Sequence, residues 1–217
     1  LLVASLAPAS SPAEWLPDDA PGPLVRYAGP DFTIGMPGDG TVAWTDQTVP
    51  PCVLVKYRAS GTPEDFLDFL VAEALVEAGL DVPEHFLPFF GPAYRDLDAA
   101  VPLGPGDVYQ IAAALYDAWV GLHTRESFAA WDDDRSRLHD ACDDAGERLV
   151  GRLEDLPRDV ATGRTDFAAA TELACSAVKH GLDLPAPFSA LDTAAYREHG
   201  TDYAVKWAET TFEKLAE

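Results

Sequence analysis

Apolar positions recur along the chain with two different periods, and the change falls near residue 60. Between Leu24 and Arg58 the runs LVRYA, FTIGM, TVAWT and CVLVKYR are short and rich in β-branched and aromatic residues. Turn-forming residues separate them, at Gly29-Pro30-Asp31, Pro37-Gly38-Asp39-Gly40 and Asp46 to Pro51. Alternation puts Phe32, Ile34 and Met36 on one face beside Val42 and Trp44, with Val53, Val55 and Tyr57 next. The pattern predicts an antiparallel meander of three or four strands. Ahead of it, residues 8–30 carry six prolines, whose fixed φ and missing N–H exclude a long regular element. Trp15 and Leu16 are expected to pin that segment to the body.

After Ser60 the period becomes helical and stays so. Thr62-Pro63-Glu64-Asp65 reads as a helix start, with a capping hydroxyl, a proline at the first position and acids at the positive dipole end. Gly79 closes that helix. Residues 83–99 are broken by Pro88, Gly91 and Pro92 into short helices. From about Gly106, Val108, Ile111, Ala112, Leu115, Trp119 and Leu122 form one stripe at three- and four-residue spacings. A further helix is expected from Asp132, striped by Leu138, Cys142, Ala145, Leu149 and Leu153 and stopped at Pro157. Two more follow Thr165 and Thr201, the first ended by Gly181, with a shorter stretch near 188–199. The expected fold is α+β: one domain, 1–217, in which the Pro-rich segment and sheet of 1–60 pack on a helical body, 61–217, of about six helices.

Charge changes the picture next. The chain carries 37 acids against 15 Lys plus Arg, a net −22 at pH 7, yet 47% of it is apolar, so the charge does not signal disorder. Asp outnumbers Glu 24 to 13, and only four lysines stand beside eleven arginines. Short hydrated carboxylates have replaced the long apolar stems of lysine. Their mutual repulsion is screened in molar salt, where the Debye length is about 3 Å. The composition therefore predicts a cytoplasmic protein of a high-salt organism whose stability depends on salt. The acids are spread rather than blocked, so a cationic partner is a poorer explanation. No basic patch offers counterion-release binding to nucleic acid. Cys52, Cys142 and Cys175 form no CxxC pair and are expected to be reduced. No apolar run approaches ~18 residues, so no membrane span is expected. The opening LLVASLAPAS lacks a charged n-region and reads as a clipped helix end rather than a signal peptide.

The segments PAEWLPDDAP, DFTIGMPGDGTVAW, PEDFLDFLVAEALVEAGLDVPEHF, DVYQIAAALYDAWVGLHTRESFAAW and YREHGTDYAVKWAE together resemble a family of uncharacterised haloarchaeal proteins. The resemblance covers nearly the whole chain and agrees with the charge argument. It implies no activity, cofactor or site residue.

Three constellations have chemical potential. Lys56 in VLVKYR, after a glycine-containing loop and before a helix bearing Glu73, resembles the strand lysine and helix glutamate that hold nucleotide phosphates in kinases. The loop Gly35-Met36-Pro37-Gly38-Asp39-Gly40 is not GxGxxG, however, and His180-Gly181-Leu182-Asp183 matches a catalytic loop only loosely. His123 and Glu126, three residues apart on one helix, offer a general acid–base or metal-binding pair to which Glu73, Glu77 and His85 can add from neighbouring helices. Di-metal bundles use paired Glu-x-x-His helices, whereas this motif is reversed and single. Asp132-Asp133-Asp134 lacks the alternating ligands and glycine of a calcium loop and is explained by a helix N-terminus, so no metal site is expected. No nucleophile elbow, Walker loop or dinucleotide fingerprint is present. The leading reading is a non-catalytic protein that binds itself or a partner. The alternative is an enzyme or a small-ligand or metal-binding protein with a His/Glu site between helices, and the third reading is a degenerate kinase-like phosphotransferase through Lys56.

Overall fold

The computed structural model describes residues 11–29, 40–56, 59 and 61–216. Among them the chain is mostly helical, with one small sheet near its start. That sheet is a hairpin of β1 (Val42–Thr45) and β2 (Cys52–Val55), antiparallel, with Val42 opposite Val55 and Trp44 opposite Val53. Those two pairs share a face, as the alternation predicts. Lys56 extends the ladder by donating its N–H to Thr41 O at 2.8 Å. Two described strands replace the expected three or four. FTIGM, most of the glycine loop, and the opening LLVASLAPAS lie outside the described residues.

LVRYA is not a strand. Residues Gly22–Ala28 form helix α1, which buries Leu24, Tyr27 and Ala28. These stand at i, i+3 and i+4, a helical spacing, and Pro23 in the first turn fits the fixed φ of a helix start. A five-residue apolar run satisfies both periods, and the prolines before it decide the matter.

The helical body follows in order. Helix α2 spans Glu64–Ala78; Pro63 rather than Thr62 takes the N-cap position, and Gly79 caps the other end. Helices α3 (Phe86–Phe90) and α4 (Tyr94–Ala100) flank a single 3₁₀ turn, Gly91–Ala93. The long α5 runs Pro105–Ala129 and buries Val108, Ile111, Ala112, Leu115 and Leu122 of the predicted stripe. The expected helix from Asp132 is divided. Helix α6 is only Trp131–Asp134, Arg135 leaves helical geometry (φ −142°, ψ 50°), and α7 covers Ser136–Val150. Leu153 is buried from the turn beyond α7, before α8 (Leu156–Ala161). Helix α9 is Phe167–Lys179 and α10 is Ala194–Ala216, broken at Gly200, whose φ of 49° and ψ of −115° divide it. The body thus has more and shorter helices than the six expected.

The main core lies where α5 packs along α9. Small residues make the approach close: Ala112, Ala114 and Ala118 on α5, and Ala170, Ala174 and Ala177 on α9. A Cβ on Gly121 would come within 3.0 Å of the Lys179 Cα, so this glycine sets how near the end of α9 comes. Tyr196 of α10 is fully buried and donates its hydroxyl to Leu115 O at 2.6 Å. A second, smaller core joins α2, the end of α5, α6 and α7 through Phe69, Phe128, Trp131, Ala141 and Cys142. The hairpin is laid against α2.

Candidate functional site

Glu73 and Glu77 are one turn apart on α2, so both carboxylates leave the same face. Two like charges at that spacing need compensation, and it comes from the far end of the chain. Lys179, the last residue of α9, sits where the helix dipole favours a cation. Its Nζ lies 2.5 Å from Glu73 Oε1, forming an ion pair in which Glu73 is 7% exposed. Asp117 of α5 stands one turn before Gly121 and faces the same space. The Trp44 indole of β1 donates to Glu77 Oε2 at 2.9 Å.

These groups line a cavity of about 280 Å³ between the hairpin, α2, α5 and the end of α9. Tyr116, Phe86 and Val120 add apolar wall, and the Tyr116 hydroxyl is held by Pro83 O. His85 and Glu84 complete the rim. His85 accepts the Leu87 N–H on Nδ1 at 3.1 Å, capping α3, and burial pulls its pKa down to about 3, so the ring stays neutral. Glu84 is the hairpin's anchor. Its Oε2 accepts from Thr45 Oγ1 at 2.6 Å and the Asp46 N–H at 3.1 Å, and its Oε1 accepts from Gln47 Nε2 and, at 3.3 Å, the Tyr27 hydroxyl.

The electrostatics are unbalanced. Burial pushes the Glu77 carboxyl up to about 8, Glu73 and Asp117 push the same way, and Lys179 and the indole bond oppose them. Burial alone would lower the Lys179 ammonium, but Glu73, Glu77 and Asp117 together hold it above its ordinary value. At neutral pH the cluster therefore contains a charged Lys179 and a protonated Glu77.

Glu73, Glu77 and His85 thus meet at one cavity. His123 and Glu126 do not line it. His123 Nδ1 bonds Trp119 O at 2.8 Å and its ring lies against Trp119, while Glu126 is 77% exposed and pairs with Arg197 at 3.3 Å. Lys56 is half-buried at the end of β2, and the ion pair of Glu73 goes to Lys179. Asp132, Asp133 and Asp134 are exposed in α6. Sequence reasoning overlooked Lys179, Asp117 and Trp44. Lysine is scarce here, four in 217 residues, and a lysine ending an alanine-rich buried helix was the available signal.

It also overlooked a cysteine–histidine contact. Cys142 Sγ of α7 lies 3.5 Å from His180 Nδ1, beside a cavity of about 330 Å³ that His139 and Asp143 also line. Burial pushes the Cys142 thiol up to about 11, with Glu73 and Asp143 adding to it, and burial and Lys179 pull His180 down. Both partners are neutral near pH 7, the opposite of a thiolate–imidazolium nucleophile. The three cysteines form no disulfide. Among the described residues no three His, Cys, Asp or Glu side chains converge as a metal ion requires, and no helix is long and apolar enough to cross a membrane.

Fold and site together define a mostly helical protein whose small hairpin covers a polar, aromatic-walled cavity. The model for a family of unknown function, DUF7089, matches residues 1–215, and the chain belongs to that family. No curated protein and no solved structure matches it.

Proposed function

We propose that this chain is a non-catalytic binding protein of a salt-rich cytoplasm, and that it binds a small molecule in the cavity beneath the hairpin. One observation carries the reading. A charged pair, Glu73–Lys179, and a second carboxyl, Glu77, are gathered from α2 and α9 around a space that side chains leave open. Buried charges cost several kcal/mol to desolvate, and a structural core of this composition is usually no more stable than an apolar one. Convergent polar groups with shifted pKa values in an apolar-walled recess are the ordinary marks of a ligand site. At about 280 Å³ the space suits a metabolite smaller than most drugs. The neutral Cys142–His180 contact supplies no nucleophile, which favours binding over covalent catalysis.

A thermal-shift screen of common metabolites in multimolar KCl tests this. A ligand that binds only the native state adds about 2.7 kcal/mol at a hundredfold excess over its Kd. The expected shift disappears in Ala113→Phe, which fills the cavity from α5. A shift that survives that substitution, or none on folded protein, moves the function to the outer surface and a protein partner.

A further inference from the structure

The cavity's ligand can be narrowed by asking which polar groups on its wall are already answered within the protein, an inference that rests on the binding reading above. Lys179 is paired with Glu73 at 2.5 Å, and Asp117 stands close enough to support its charge. Asp117 is itself engaged within the protein. Glu77 accepts the Trp44 N–H on Oε2, and burial holds its carboxyl protonated. Glu84 accepts from four donors. Every charged side chain among the described residues of the wall therefore already has a partner.

His85 is different. Its Nδ1 accepts the Leu87 N–H at 3.1 Å, so that nitrogen carries no proton and Nε2 bears the ring's one N–H. His85 is 7% exposed and lines the cavity, and its Nε2–H has no hydrogen-bond acceptor among the described residues. Edge-to-face contacts with Tyr27 at 4.3 Å and Phe86 at 6.2 Å fix the plane of the ring. A buried donor without an acceptor is destabilising until a ligand supplies one.

We infer that the cavity takes a small uncharged molecule, an amide, ketone or alcohol, whose oxygen accepts the His85 Nε2–H while its alkyl body lies against Trp44, Tyr116 and Leu70. An anion would have to draw Lys179 away from Glu73, and a cation would have to draw Glu73 away from Lys179. Either exchange leaves a buried charge without its partner, which is strongly unfavourable. An uncharged ligand leaves the ion pair intact. A wholly apolar one would leave the His85 donor unanswered. Val42 and Val120 complete an apolar wall, and a space of about 280 Å³ suits a short alkyl body.

Ligand-observed NMR titration of the whole chain with butyramide, butyrate and n-butylammonium, in multimolar KCl at pH 7, tests the inference. The three probes share a body and differ in charge. Butyramide is expected to bind at least about tenfold more tightly than either ion, and Ala113→Phe should abolish its binding. His85→Asn keeps a side-chain oxygen for the Leu87 N–H and removes the Nε2 donor, and it should weaken butyramide by about tenfold. If butyrate or butylammonium binds as tightly as butyramide and Ala113→Phe abolishes it, the cavity is a ligand site and the uncharged assignment is wrong. Butyramide binding that is unchanged in His85→Asn overturns the role of that donor, and binding that survives Ala113→Phe overturns the site. If none of the three binds, the uncharged assignment fails, and a flat metabolite screen beside it removes the binding reading as well.

Discussion

The α5–α9 contact and the space between the hairpin and α2 differ in what fills them. Along α5–α9, alanines and Gly121 let two helices approach closely, and the polar atoms are answered locally. Thr171 donates to Phe167 O at 2.8 Å within its own helix, and Tyr196 reaches Leu115 O. Beneath the hairpin, α2 sends two glutamates inward and α9 ends in a lysine, so charges meet where side chains do not close the gap. Close packing explains stability in the first region without reference to anything outside the chain. In the second, buried charges cost several kcal/mol to desolvate, and that cost is what the proposed ligand site starts from.

The sharpest way to break this comparison is to damage the packed region. Leu115 is fully buried in the main core, and Leu115→Ala should cost about 3 kcal/mol in chemical denaturation. A loss below about 1 kcal/mol would mean that α5–α9 is not the anchor. Next comes the ion pair. Lys179→Met leaves Glu73 buried without a counter-charge and should cost about 2 kcal/mol, less than for a fully enclosed pair because 24% of the Lys179 side chain is exposed. Adding Glu73→Gln should restore part of that loss, and a double-mutant cycle reads the coupling directly. Simple additivity would dissolve the pair as an energetic unit.

The smallest effect concerns pH. The Glu77 carboxyl is raised from 4.5 to about 8 in the fold, so between those values the native state holds a proton that the unfolded chain has released. Stability contributed by this group is complete below pH 4.5, falls as pH climbs toward about 8, and then levels off. The slope is at most about 1.4 kcal/mol per pH unit. Glu77→Gln should flatten it, as measured by melts of the ligand-free protein across that window. An unchanged slope would place the titrating group elsewhere.

Much of the helical body was legible because its signals are local. The α5 stripe, the Gly79 and Gly181 stops and the proline-led starts each act within a few residues. LVRYA failed because five residues cannot separate two periods, and the Asp132 helix failed because Arg135 interrupts a stripe that continues on both sides. At the site, the partial burial of Glu73 was readable from its place between Phe66 and Phe69 on α2. Its partner was not, since Lys56 and Lys179 look alike as letters and only one reaches it.

By itself the sequence determined a mostly helical chain with a small antiparallel sheet near its start, an acidic, lysine-poor composition and a partly buried Glu73 on α2. The tertiary structure alone decided that Lys179 answers Glu73, that Glu77 keeps its proton and that a cavity remains between them. Helix periodicity is a property of neighbours along the chain, whereas a charge's energy depends on its distance to every other charge and to water. Those distances exist only after α2, α5, α9 and the hairpin have packed.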